Sequence, residues 1–331
     1  MKTIRIGMIS LAHKGHAYGY AGGLLKVPGV EIVGIYDEEA ERGQAGANQF
    51  KTKFYEDYNE LLKEVDGVII SSDNSRHHQY AIAAANAGVH ILVEKPITTV
   101  GEDARELIDL CNEKGLVLQT AFPVRLNTSV HKVKQQIDKG ELGDIVAIAA
   151  TNHGKMPGGW FVDPALSGGG AVLDHTVHVV DIMRWLLSSE VKEVYAEMDT
   201  RLHDIPVDDC GLLSMEFDNG VVATLDTSWS RPTSFSFWGD VTMRIVGTKG
   251  VIHLDCYAQT GELWENGAAL THRYLSWGDN TNQALVAEFV AAVREGRPSF
   301  ITGLDGLRAA ETAWAAYESA KAGKPVAVTH Y

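Results

Sequence analysis

Along the first 120 or so positions, apolar residues fall in short runs separated by longer amphipathic stretches. The runs at 4–10 (IRIGMIS), 31–36 (EIVGIY), 67–71 (GVIIS), 90–94 and 116–120 predict strands. The intervening stretches predict helices at about 16–26, 38–47, 57–64, 75–87 and 102–114. Pro28-Gly29 and Gly88 supply stops, and Asp57 and Thr99 supply caps. The strands lack strict alternation, as expected when both faces are buried. Strand and helix in turn predict a parallel, doubly wound α/β sheet with right-handed crossovers.

After Ala121 the pattern changes. Strands are expected at 145–151, 191–199, 209–217, 221–229, 234–246 and 251–256, with helices at 128–138, 171–187, 281–294 and 304–322. Leu213, Met215 and Phe217 alternate with polar neighbours, and Asp218-Asn219-Gly220 suits a tight hairpin turn. A further turn is expected at Thr248-Lys249-Gly250. The expected arrangement is an N-terminal dinucleotide-binding Rossmann domain over 1–122. A C-terminal α+β domain over 123–331 follows, built on a large, mostly antiparallel sheet. Few helices are available to cover both faces of that sheet, so the alternating apolar residues of 213–225 are expected on an open face through which a homodimer or homotetramer forms.

Charge narrows the function classes. The 331-residue chain carries a formal net charge of -14 and no basic run, which argues against nucleic acid as a partner. No apolar stretch is long enough for a membrane span, and the N-terminal run is too short and interrupted for a signal segment. A cytoplasmic location is expected. Three widely spaced cysteines, Cys111, Cys210 and Cys256, suit reduced structural thiols rather than a disulfide or zinc framework.

Ligands of such sheets bind beyond the C-terminal strand ends, which selects four loops: 10–15, 37, 71–77 and 94–96. A dinucleotide turn would read G-x-G-x-x-G, whereas this chain reads Ser10-Leu11-Ala12-His13-Lys14-Gly15. Ala12 is small enough for a close pyrophosphate approach, and Gly15 is expected where helix and strand pack closely. Serine is expected to fit the turn only with a negative φ. His13 or Lys14 can add cofactor contacts. Asp37, after the second strand, is placed to accept the adenosine ribose hydroxyls and to repel an added phosphate, so NAD is expected over NADP. The same aspartate can instead cap the next helix, and Arg42 is the nearest residue able to override the preference. Ser71, Asn74, His77, Glu94 and Lys95 occupy the other loops.

In the predicted helix at 171–187, Asp174, His178 and Asp181 share one face. Histidine suits proton exchange near neutral pH, with Asp174 one turn away to orient it. The same spacing also fits a solvated helix face with a His–Asp contact. His175 with His178, His13 with His16, and His77 with His78 form no recognised ligand pattern, and no metal is expected.

Glu94-Lys95-Pro96, the segment G-G-G-A-V-L-D-x-x-x-H at 168–178, and Asn74-Ser75-Arg76-His77 converge on one likeness. Across its whole length the chain resembles the glucose–fructose oxidoreductase / inositol dehydrogenase family of NAD(P)-dependent oxidoreductases. The resemblance implies a nicotinamide in the interdomain cleft and a sugar, sugar derivative or cyclitol as substrate. It implies that Lys95 contacts the reacting hydroxyl, that Asp174 and His178 bind substrate and move its proton, and that Asn74 and Glu94 line the cofactor. Trp160 and Arg125 fall in segments that approach nicotinamide or substrate. With His153 they would offer a sugar a cation, an imidazole and an aromatic surface. Two alternatives stay open. One is an NAD-dependent glycosidase or lyase with transient substrate oxidation, and the other is a non-catalytic nucleotide-dependent binding protein.

Overall fold

The computed structural model describes residues 3–235, 237–258, 260–265, 271–276 and 278–331. Six strands form the first sheet: β1 (Ile4–Ile9), β2 (Val30–Tyr36), β3 (Lys53–Tyr55), β4 (Gly67–Ile70), β5 (His90–Val93) and β6 (Leu118–Thr120). All pair in parallel, in the order 3-2-1-4-5-6. Helices α1 (Lys14–Leu24), α2 (Ala40–Phe50), α3 (Tyr58–Leu62), α4 (His77–Asn86) and α5 (Gly101–Glu113) connect them. Strand order reverses between β1 and β4, and the loops after these strands face one crevice. The short β3 escapes the hydrophobic pattern because Lys53 interrupts it, yet Tyr55 is buried there against Gly34.

The second half contains α6 (Thr128–Asp138), β7 (Ile145–His153), α7 (Pro164–Ser167), α8 (Ala171–Leu187), β8 (Val191–Asp199), β9 (Cys210–Phe217), β10 (Val222–Ser228), β11 (Thr242–Gly247) and β12 (Val251–Asp255). The hairpin β13 (Thr260–Glu265) and β14 (Thr271–Ser276), helices α9 (Thr281–Glu295) and α10 (Gly303–Ala322), and β15 (Val326–Ala327) complete it. Seven strands form a mixed sheet in the order 12-11-7-10-9-8-15, antiparallel except for β10 beside β7. The strand expected over 234–246 begins only at Thr242, and the preceding segment instead carries Phe237 and Trp238 to the site described below.

Alternation decides which sheet face is covered. Leu213, Met215, Phe217, Ala223 and Leu225 are buried beneath α8 and α10, so the expectation that the apolar residues of 213–225 form an open face is not met. The uncovered face is the opposite one, where Leu212, Val222 and Thr224 are exposed. Helix α9 returns to pack on α1, with Gly23 in contact with Gln283, so the C-terminal part braces the first helix of the Rossmann domain.

Among the described residues, no helix is long and apolar enough to cross a membrane. Cys111, Cys210 and Cys256 are free thiols.

Candidate active site

A cleft of about 1030 Å³ separates the strand ends of the first sheet from α8 and the loops of the second. Its floor starts at the turn after β1. The expectation of a negative φ at Ser10 is overturned: φ is 64°, in the left-handed region. Such a conformation costs roughly 1–3 kcal/mol in a non-glycine residue. Local bonds offset it, because Ser10 Oγ accepts from the Ala12 amide at 3.2 Å and donates to Glu38 Oε1 at 2.9 Å.

Gly15 also acts differently from expectation. A Cβ there would meet nothing within 4 Å, so close helix–strand packing does not require the glycine. It lines the cleft with Ala12, His13 and Lys14. The first turn of α1 holds no acidic residue, and His13 makes no side-chain cap. The positive helix end and its backbone amides can therefore receive a pyrophosphate, and these residues fit a dinucleotide.

Asp37 does not face that cleft. Its Oδ2 accepts from the Leu11 amide at 2.8 Å and Arg42 Nε at 2.9 Å. Its Oδ1 accepts from the Glu39 amide at 2.8 Å and Arg42 Nη2 at 2.8 Å. Both oxygens are saturated and the side chain is buried, so Asp37 ties the turn to α2 instead of offering itself to a ribose. Arg42 is held by Asp37, Glu38 and Glu39 together. Beside them, Glu38 keeps a buried Oε2 with no hydrogen-bond partner.

The end of β4 supplies support. Asn74 Nδ2 donates to the Ser167 carbonyl at 2.8 Å, which joins the two halves of the chain. His77 Nδ1 lies 2.7 Å from the Pro96 carbonyl and steadies the segment that carries Lys95. Ser71 accepts the His13 amide through its carbonyl at 2.9 Å. Ser71 Oγ and His77 Nε2 are buried without partners. Ser71, Asn74 and His77 stand behind the cleft lining rather than in it.

The reactive groups meet where β5 faces α8. Lys95 Nζ is paired with Asp174 Oδ1 and donates to the Asp174 carbonyl at 3.2 Å. Trp229 Nε1 donates to Asp174 Oδ2 at 3.2 Å, and His175 Nε2 lies 3.3 Å from the same oxygen. Burial alone would raise the Asp174 pKa, but Lys95 and His175 outweigh it and hold the carboxyl far below its ordinary range. His178 lines the cleft one turn along. Burial, with Lys95 nearby, pushes its pKa well below the ordinary value, so the imidazole is neutral. Its Nδ1 is buried and has no partner among the described residues. Unpaired buried nitrogens are costly and uncommon outside functional sites.

The helical face is therefore not solvated. Asp174 and His178 turn to the cleft, while Asp181 is fully buried and paired with Arg125 through two bonds. That pairing removes Arg125 from the expected substrate contacts: it is 2% exposed, bonds Asp181 and Asp305, and does not line the cleft. His153 is also displaced. Strand alternation sends its side chain away from α8, between Asp226 and Asp240, each 3.1 Å away, and the hydrogen bond to Asp240 raises its pKa. Trp160 does line the cleft, and its Nε1 donates to the Ala12 carbonyl at 3.2 Å across the two halves.

Several lining residues escape sequence reasoning. Trp238 comes from the loop before β11 and Tyr257 from the loop after β12, and their rings meet at 5.4 Å. His16 lies one residue past the glycine turn and bonds Glu94 Oε1 at 2.7 Å. His13, His16 and Glu94 hold potential ligand atoms within 4.8 Å of one another. The two imidazoles stack with planes 12° apart, so their in-plane lone pairs run side by side without converging on one ion.

Residues 4–122 match the model of the oxidoreductase family with an NAD-binding Rossmann fold, and residues 130–253 match the GFO/IDH/MocA C-terminal domain. The chain belongs to the GFO/IDH/MocA family. It is an NAD(P)-dependent oxidoreductase of the sugar and polyol dehydrogenase class. It is 29% identical to a 1,5-anhydro-D-fructose reductase of Ensifer adhaerens, over 91% of this chain and 92% of that protein. It is 27% identical to the NAD(+) scyllo-inositol 2-dehydrogenase of Bacillus subtilis, over 98% and 96% of the two chains. The structure of GenD2 from gentamicin A biosynthesis, in complex with NAD, shares the fold with a TM-score of 0.90, at 24% identity over 99% of this chain and 97% of that one.

Proposed function

We propose that this family member oxidises a secondary hydroxyl of a sugar or cyclitol with NAD. The carrying observation is the meeting of Lys95, Asp174 and His178, whose buried Nδ1 has no partner among the described residues, at one cleft with the open end of α1. A bound nicotinamide supplies the hydride acceptor. His178, neutral and facing the cleft, takes the hydroxyl proton. Lys95 holds the developing alkoxide by charge, and Asp174 keeps the ammonium aimed. Trp160 and Trp238 provide flat surfaces for the C–H faces of a sugar ring. The test is a panel of sugars and cyclitols assayed for reduced nicotinamide, expected to contain at least one substrate.

NAD is preferred over NADP in this reading, with Glu38 rather than Asp37 as the discriminating group. The Glu38 side chain is partly exposed, and a turn of its carboxylate would bring the buried, partnerless Oε2 out to a ribose hydroxyl, while a phosphate there would meet like charge from Glu38 and Asp37. Glu38→Gln is expected to raise the NADP/NAD ratio of kcat/KM by about tenfold, corresponding to about 1.4 kcal/mol. Equal use of both cofactors by the unaltered enzyme would contradict the preference.

Self-association through the open sheet face is part of the same proposal. Val222, Thr224, Leu212 and Ala149 are exposed there, beside a groove of about 580 Å³. A two-fold partner would cover the face isologously. Light scattering is expected to give at least twice the mass of one chain, and Thr224→Arg to lower it. A single-chain mass at micromolar concentration would end this part of the account.

A further inference from the structure

Oxidation of one hydroxyl moves one proton from oxygen, yet two proton-handling sets, one carrying Lys95, Asp174 and His178 and the other His16, line the same cleft. The second stands on α1 and at the end of β5, where His16 Nδ1 lies 2.7 Å from Glu94 Oε1 and the Tyr20 hydroxyl donates to the same oxygen at 2.7 Å. Glu94 is 1% exposed. Burial alone would raise its pKa, but His16, His13 and Lys95 outweigh burial and keep it ionised.

An ionised carboxylate accepts from Nδ1–H and so fixes the tautomer, leaving Nε2 of His16 as the basic nitrogen. His16 lines the cleft and is partly exposed, which gives a ligand access to that ring. His13 stacks on it with centroids 3.9 Å apart. Burial, and then the proximity of His16, drive the His13 pKa down to about 3, so His13 stays neutral and packs the ring in place.

We propose that His16, oriented by Glu94, is a second base that enolises the ketone made by the dehydrogenation. The inference rests on the dehydrogenase reading. The C–H bond on the carbon next to the carbonyl breaks, and its proton goes to Nε2 of His16. The bonding pair becomes the new C=C, and the carbonyl π pair moves to oxygen, where Lys95 can stabilise the enolate. Return of a proton from the imidazolium restores the ketone, with the same or the inverted configuration at that carbon. The cycle consumes no oxidant beyond the one used to form the ketone.

The experiment is turnover in D₂O of whichever panel substrate yields reduced nicotinamide, with the ketone product read by NMR. Deuterium is expected at the carbon beside the carbonyl, faster than in enzyme-free buffer. His16→Asn retains a donor to Glu94 but has no base, and should lower exchange per turnover by about 10²-fold or more. Glu94→Gln, which can still accept from Nδ1, should keep more of the exchange than Glu94→Ala. Equal losses in those two would remove Glu94 as the positioning residue. Reduced nicotinamide without exchange in the unaltered enzyme, or undiminished exchange per turnover in a folded His16→Asn protein, would overturn the inference alone. A panel with no substrate would defeat the dehydrogenase reading and this inference with it.

Discussion

Lys95→Ala is expected to lower kcat by about 10³-fold, because the ammonium meets charge that develops only in the transition state. The same change should cost stability. Lys95 is buried and Asp174 is 16% exposed, and removal of one partner from a fully buried pair typically costs about 3–5 kcal/mol. Trp229 and His175 still face Asp174, so the loss should fall at the lower end of that range. The double variant Lys95→Ala/Asp174→Asn separates the two effects. It should recover much of the thermal stability, since no carboxylate is left unpaired, while kcat stays low. Recovery of turnover alongside stability would show that Lys95 serves the fold and not the chemistry.

His178→Asn is expected to reduce kcat by about 10²–10⁴-fold if proton transfer limits turnover. Dinucleotide affinity should change far less than catalysis. The pH profile gives a second readout. Burial and Lys95 lower the His178 pKa from its ordinary 6.5, and a base is active above its pKa. The unaltered enzyme should therefore hold its kcat as pH falls from about 8 through 6.5, where an unperturbed imidazole would already be half protonated. Steady-state kinetics of both proteins, with the fold checked by thermal denaturation, measures this. Near-normal kcat in a folded His178→Asn protein would remove His178 as the base, leaving Lys95 or a water to carry the proton.

The Rossmann sheet was legible because its strands are buried runs bounded by glycine, proline and cap residues, a signal carried within each segment. The hairpin at Asp218-Asn219-Gly220 was legible for the same local reason. Loops were not. The segment expected as strand before Thr242 has alternating residues but forms an isolated bridge, Gly154 to Gly239, in place of a ladder, and delivers Trp238 to the cleft. Spacing on α8 grouped Asp174, His178 and Asp181, but only the tertiary partner distinguishes them. Arg125 approaches from the segment after β6 and claims Asp181, while Lys95 claims Asp174. Asp37 sits at the expected strand end, yet Arg42, five residues on, and the Leu11 and Glu39 amides saturate it. Trp229 lies 55 residues from Asp174, and nothing local announces that contact. Chemistry written within one element can thus be read from the chain, whereas the partner that sets its role cannot.

The most direct measurement is nicotinamide reduction by the purified protein, supplied with NAD and a sugar and cyclitol panel, with NAD affinity measured on the same sample. NAD binding is expected, with reduced nicotinamide formed from at least one secondary alcohol and a matching ketone in equal amount. A protein that binds NAD and a sugar yet reduces no nicotinamide with any member of the panel would contradict the dehydrogenase reading.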